Sequence, residues 1–258
     1  MHHEYWLTLL LTCVALVVAY EVAFQVGRRT KDEVAAEKKT AVDAVGAAML
    51  ALLGLLLGFT FSMADERYAA RRHIVLDEVN AIGTTYLRAK MLPPPHDVRE
   101  QDLLRQYVEM RTVYQTPSSI QHALDRTADL HNRLWDEARA AAALDTHSHI
   151  TALFIESLNN MIDLHTARIT VNIYQRLPSA IRDVLYIAAV LSVGVFGYGV
   201  GLRRRRAFGP TAAMMVAISL VLTVIVDFNR AGDPVVHVGI KGYKDLQTMM
   251  SRDRAATR

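Results

Sequence analysis

The 258-residue sequence has a single cysteine, Cys13, so no intrachain disulfide can form. Cys13 lies inside an apolar run and reads as a small packing residue. Charge of one sign is also missing. The 29 Lys and Arg nearly balance 26 Asp and Glu, so no overall basic field points to nucleic acid. There is no G-x-S-x-G, Walker A loop, H-E-x-x-H or dinucleotide-binding glycine turn. No nucleophile with a partner base can be named, so enzymatic function is the least supported class and no cofactor is expected. One tract resembles a metal cluster, "DTHSH" with Asp145, His147 and His149, but no second ligand group lies near it in sequence. No metal site is expected. The start, "MHHEYW", has no Lys or Arg, and no small-x-small cleavage site follows, so the first apolar run reads as a retained helix rather than a signal peptide. Internal repeats and low-complexity linkers are absent.

What is present is hydrocarbon. Apolar residues make up 52% of the chain, and they cluster in four runs: about 5–27, 45–64, 184–202 and 208–228. Each is close to the roughly 20 residues that cross a bilayer. The expected fold is all-α, a four-helix transmembrane protein with an extramembrane helical bundle between spans two and three. The expected division is 1–64 (spans one and two), 65–180 (bundle), 181–229 (spans three and four) and 230–258 (a tail that docks on the bundle). Orientation follows from Lys and Arg beside the spans. The loop between spans one and two holds Arg28, Arg29, Lys31, Lys38 and Lys39, and the loop between spans three and four is Arg203 to Arg206. Both belong on the cytoplasmic side, which puts the bundle on the periplasmic or extracellular side of a bacterial inner membrane.

The second span does not stop at the membrane. No proline interrupts the sequence from Leu52 to Ala89, and Val75, Val79, Ile82 and Tyr86 form one apolar stripe. The spacing predicts one helix over 42–92, about 75 Å long at 1.5 Å per residue, ended by "LPPPHD" at Leu92. A helix then begins at Asp97, with Glu100 completing a capping box, and carries Leu104, Tyr107, Val108 and Tyr114 inward. Ser118 and Gln121 form a second capping box ahead of a helix lined by Leu124, His131, Leu134, Trp135 and Ala138. A long helix over 149–177 turns Leu153, Phe154, Leu158, Met161, Ile162 and His165 inward, and Ser179 caps the third span. In the tail, Val235, Val236, Val238 and Ile240 suit a short extended piece, and Leu246, Met249 and Met250 a short helix.

Two groups of residues are candidates for function. Gly54, Gly58 and Ser62 make a small-xxx-small face on span two. Such a face serves close helix packing, or lets several copies surround a narrow axis with Phe59 and Phe61 as an apolar constriction. Gly197 and Gly201 suit tight packing of span three. Above the membrane, Asp77, Asn80 and Thr84 share one side of the long helix, and Glu156, Asn159 or Asn160, and Asp163 share a face of the last bundle helix, with His165 and Arg168 on a neighbouring strip. Either these are solvated faces with a buried hydrogen-bond network, or they form a vestibule for a cation. Arg72, Arg168 and His165 are the available cations. Glu21, near the end of the first span, is expected to snorkel or pair with Arg28.

"LLGLLLGFTFSMADERYAARRHIVLDEVNAIGTTYLRAKMLP", "LNNMIDLHTARI" followed by "RLP", and "DFNRAGDPVVHVGIKGYKDL" together resemble a family of bacterial membrane proteins called bestrophin-like. The resemblance covers about 45–246. True bestrophins are pentameric anion channels whose second membrane helix lines the pore, so the resemblance implies a homo-oligomer with Gly54, Gly58, Phe59, Phe61 and Ser62 near a pore. It also implies a cytosolic bundle, opposite to the charge count. No calcium clasp of the bestrophin kind can be matched residue by residue. The expected partners are the lipid bilayer, further copies of the chain and inorganic ions, with no nucleic acid. Two functions stand open: an oligomeric ion channel, or a non-conducting membrane sensor or scaffold whose bundle binds a partner.

Overall fold

The computed structural model describes residues 2–30, 32–113, 120–174, 178–204, 206, 208–229 and 234–256. Among these, every regular element is α-helical: α1 (His2–Arg29), α2 (Asp32–Ala89), α3 (His96–Val113), α4 (Ile120–Leu144), α5 (His149–Tyr174), α6 (Ser179–Arg203), α7 (Phe208–Asn229) and α8 (Pro234–Ala256). Four of them contain stretches long and apolar enough to cross a membrane: Glu4–Arg29, Lys38–Ala89, Ser179–Arg203 and Phe208–Asn229. The all-α, four-span expectation therefore stands.

Several boundaries differ from the sequence reading. The basic stretch read as a loop between spans one and two is already helical from Asp32. Its composition, "DEVAAEKKTA", is rich in strong helix formers, and Asp32 and Glu33 suit the positive end of the helix dipole. At the other end α2 stops at Ala89 rather than Leu92. Met91 N–H donates to Arg88 O at 3.0 Å and Leu92 N–H to Ala89 O at 3.2 Å, tightening the last turn ahead of Pro93. The α3 capping box is not formed. The helix begins at His96, and the Glu100 side chain is buried instead of reaching back to the backbone. Pro178, not Ser179, is the cap residue of α6, and no side chain caps it. Lys31, Tyr114 and Ser118, and the side chain of Gln121, lie outside the described residues.

The tail is the largest correction. Residues 235–240 are not extended: Pro234 opens a single helix running to Ala256. Proline is at home in a first helical turn, where its missing N–H has no intrahelical partner to lose. The pattern was misread because β-branched residues favour strands on average, while tertiary packing decides here. Tyr243, Leu246 and Met250, at i, i+3 and i+7, are all buried.

The chain divides into two compact units, Met1–Tyr68 with Arg176–Ala231, and Ala69–Gln175 with Gly232–Arg258. The first contains α1, α6, α7 and the first part of α2. Its core gathers Leu16, Tyr20, Phe24, Leu53, Leu57, Leu185, Val193 and Leu222, while Leu10, Leu11, Val22, Leu52, Leu55 and Ile187 stay outward. Helices apolar on both faces are built for lipid. Several hydroxyls turn back on their own helix, as lipid offers no partner: Thr60 Oγ1 donates to Leu56 O and Thr12 Oγ1 to Thr8 O, both at 2.8 Å, while Ser192 Oγ of α6 donates to Met49 O of α2 at 3.3 Å. In the absence of a hydrophobic force between helices, association relies on close contact, and three glycines provide it. A methyl group added at Gly197 would lie 2.7 Å from Tyr20 O, and one at Gly27 or Gly201 would collide with Tyr198 O or Phe24 O. The backbones of α1 and α6 therefore touch.

The second unit packs α3, α4, α5 and α8 with residues 69–89 of α2. Tyr86, Leu104, Tyr107, Leu134, Phe154, Leu158 and Met161 are fully enclosed, each burial contributing roughly 1.5–3 kcal/mol. Leu153, read as inward, is 46% exposed. The inner face of α5 runs Phe154, Leu158, Met161, His165, and Leu153 lies about 100° to one side of it.

The α1–α6 contact gives a direct test. Gly201→Val should lower the thermal midpoint in detergent by more than 5 °C, because backbone on α1 cannot step aside as a flexible side chain would. Gly209→Ala, where nothing lies within 4 Å of an added methyl, should be neutral or slightly stabilising in the same melt.

Candidate functional site

The face of α2 that carries the small residues is open. Leu53, Leu57, Thr60 and Ala64 are buried and point into the membrane unit. Gly54, Gly58 and Ser62 sit on the opposite side of the helix and are exposed, and no atom lies within 4 Å of a methyl built on either glycine. Phe59, at 63% exposure, flanks this strip. Phe61 flanks it on the other side and meets Phe228 of α7, with ring centroids 5.8 Å apart, and Phe228 in turn stacks on Tyr68 at 5.1 Å. Close to the other end of the unit's helices, Glu21 does not pair with Arg28 as the sequence suggested. It accepts from Arg206 at 2.8 Å and from Gln25 at 3.2 Å, and Arg206 lies 4.0 Å over the ring of Phe24.

The bundle holds a different arrangement, centred on Glu78. Its carboxylate has no exposure. Tyr107 O–H donates to Oε1 at 3.0 Å and Tyr243 O–H to Oε2 at 2.6 Å. Arg168 Nε is 2.5 Å from Oε2, and Arg111 stands 3.7 Å from Oε1. Arg111 also donates to Tyr107 Oη at 2.8 Å and to His165 Nδ1 at 2.5 Å. A guanidinium only donates, so this contact favours the neutral ring with its proton on Nε2, although Nδ1 also stands 3.5 Å from Glu78 Oε1. Burial, with Arg111 and Arg168 beside it, holds the His165 pKa below the ordinary value. His131 closes the group, its ring 5.0 Å from His165 and 5.3 Å from Tyr107. Thus α2, α3, α5 and α8 all contribute to one buried carboxylate.

The sequence matches the family model for the bestrophin-like domain over residues 9–231. The chain belongs to the bestrophin-like family. Among solved structures, this bestrophin-like chain is similar to a mutant bacterial bestrophin homologue from Klebsiella pneumoniae, at 14% identity and a TM-score of 0.53, covering 96% of this chain and 98% of the other. That similarity is one of fold. No curated protein matches the sequence.

Within the bestrophin-like chain, the residues singled out by sequence separate. His165 and Arg168 join the Glu78 cluster. Asp77, Asn80 and Thr84 are exposed, as are Glu156, Asn159 and Asp163, and they do not meet in the bundle core. Arg72 is exposed too, whereas its neighbour Arg71 is buried. The buried acid is one position along from Asp77, about 100° around the helix. Glu78 was legible all the same: it sits three residues after Val75 and four before Ile82, inside the apolar stripe. Tyr243 was hidden by the misread tail, and Arg111 by the habit of assigning arginine to solvent. Asp145 of "DTHSH" accepts from His147 N–H at 2.9 Å in the turn before α5. Among the described residues, no three His, Cys, Asp or Glu are grouped to hold a metal.

A second acid is buried without such support. Glu100 of α3 has no exposure, and neither oxygen has a hydrogen-bond partner among the described residues. Burial, reinforced by Glu137, pushes its carboxyl up to about 9, so it is kept neutral. Glu137 is itself engaged by His96 at 2.7 Å and Arg99 at 3.3 Å.

Glu78→Gln should destabilise the bundle by about 3 kcal/mol, because it leaves the partly buried guanidinium groups of Arg111 and Arg168 without their counter-charge. Tyr243→Phe, removing one hydrogen bond to a charged group, should cost about 2 kcal/mol. Chemical denaturation followed by circular dichroism measures both. Glu100 has the opposite sign. Its folded pKa lies above the unfolded value of 4.5, so its contribution is fully present below pH 4.5 and is lost as pH rises toward 9. Glu100→Gln should therefore raise the melting temperature by several degrees at pH 8 and leave it unchanged at pH 4.

Proposed function

We propose that the protein is an oligomeric ion channel in which the Gly54–Gly58–Ser62 face of α2 turns toward an axis shared by several copies. The observation that carries this reading is the empty space beside Gly54 and Gly58 on a helix whose opposite face is fully packed. Small residues on a membrane helix let another backbone approach closely, and among the described residues none approaches Gly54 or Gly58. A ring of such faces leaves a narrow apolar passage with Phe59 at its margin, a constriction of the kind that gates by dewetting. Phe61, braced by Phe228, holds the edge of that face rather than its centre. In the bundle, the exposed Asp77, Asn80 and Thr84 provide oxygen atoms for ions on a surface of α2 not used by the Glu78 core. Membership of the bestrophin-like family and the fold shared with a bacterial bestrophin homologue support the reading.

We place the bundle outside the cytoplasm, on the count of Lys and Arg beside the spans. A cysteine at Thr146, exposed in the turn between α4 and α5, in a Cys13→Ser background, should react with an impermeant maleimide added to intact cells. Reaction only after lysis reverses the orientation.

Purified protein in planar bilayers should conduct, and Phe59→Ala and Ser62→Trp should change the current in opposite directions, widening and blocking the passage. Ser62→Cys should crosslink copies to one another. A well-folded wild-type oligomer that passes no current would sink the channel. It would leave a sensor or scaffold, whose rigid part would be the locked Glu78 bundle.

A further inference from the structure

The membrane unit has a groove that the pore reading does not use. It lies between α1, α2 and α6, has a volume of about 1020 Å³, and is walled by apolar side chains that include Val18, Val22, Ala41, Val45 and Leu191, with Tyr198 bringing the one hydroxyl. A volume of this order matches small-molecule and cofactor pockets. In a bilayer such a groove is filled either by lipid or by protein.

The register of the three helices fixes what stands at its Tyr198 end. Gly197 and Gly201 of α6 abut Tyr20 and Phe24 of α1, and Gly199 abuts Asp43 of α2. The α1 face that carries Val18 and Val22 continues through Val26 to Arg29. The α2 face that carries Val45 and Ala41 begins at Lys38. Arg29 and Lys38 are exposed and mark the ends of the two apolar spans. The described acids nearby are engaged: Asp43 by Arg203, and Glu21 by Arg206 and Gln25. Among the described residues, neither Arg29 nor Lys38 has a carboxylate partner.

We propose that this groove holds an acyl chain of an anionic phospholipid, with the lipid phosphate between Arg29 and Lys38 and within reach of the Tyr198 hydroxyl. The charge decides the occupant. A helix from a second copy would fill the apolar part but leave both cations at its rim uncompensated. An anionic lipid supplies the chain and the counter-charge in one molecule, and basic sites between membrane helices select such headgroups.

The test is native mass spectrometry of the full-length protein in detergent, exchanged against equimolar phosphatidylglycerol and phosphatidylcholine with identical chains. Wild type should retain phosphatidylglycerol about tenfold or more over phosphatidylcholine. Arg29→Gln and Lys38→Gln should each reduce that preference about fivefold, and together abolish it. Both positions are exposed, so these variants leave the core intact, and unchanged melting temperatures verify it. Val45→Trp, which fills the groove, should lose both lipids. Equal retention of the two lipids by wild type, or a preference that survives the double charge variant, overturns the proposal. So does disulfide formation between copies through Val45→Cys in a Cys13→Ser background, since a second chain would then cover the groove. No readout involves conduction, so the result stands apart from the channel reading.

Discussion

A carboxylate cannot be left alone in an apolar core, and Glu78 sits in one. Each of its two oxygens accepts from a tyrosine hydroxyl, one on α3 and one on α8, and Arg168 on α5 adds an ion pair. That requirement limits how α2, α3, α5 and α8 can be arranged around their apolar core. Leu, Met and Val side chains tolerate rearrangement, whereas a charge with two arginines and two tyrosines around it accepts few alternatives. The neutral histidines His131 and His165 follow from the same demand. Burial disfavours their charged forms, and Arg111 beside both, with Arg168 beside His165, repels further positive charge, which outweighs the pull of Glu78.

The membrane unit answers to a different solvent. There the backbone must satisfy itself, so every described element is a helix, and the choice left to the sequence is how near two helices come. Glycine on both α1 and α6 allows their backbones to touch. The glycines of α2 at positions 54 and 58 resemble those by residue type, but among the described residues nothing lies within 4 Å of a methyl built on them. The same residue type thus marks a backbone contact between α1 and α6 in one place and an open face of α2 in another.

Much of this was readable in advance, for identifiable reasons. Four spans and the unbroken α2 follow from run length and the absence of proline. The inner faces of α2, α4 and most of α5 follow from helical periodicity. Packing at Gly197 and Gly201 follows from small residues in an apolar helix. The polar cluster was half seen. Its members His165 and Arg168 were named, but the acid was placed at Asp77, where a face chosen for its string of polar residues proved to be the outside of the helix. A single acid interrupting an apolar stripe is the stronger sign of a buried network than several acids in a row. The tail was misread because local β-propensity argued for a strand, while its true signal, Tyr243, Leu246 and Met250 on one helical face, lay further along. The unpartnered Glu100 had been assigned to a cap, a role its burial forbids.

The position of α8 in the chain has a consequence for assembly. Tyr243 belongs to the bundle core, yet spans three and four are synthesised between it and the rest of that core. While the ribosome is still making those spans, Glu78 lacks one of its two tyrosine hydrogen bonds, and the surface that receives Leu246 and Met250 is uncovered. The bundle therefore reaches its final form only after the last two spans have been made. α8 acts as the closing piece of a domain begun near residue 69, which makes completion of that domain depend on synthesis of the two spans before it.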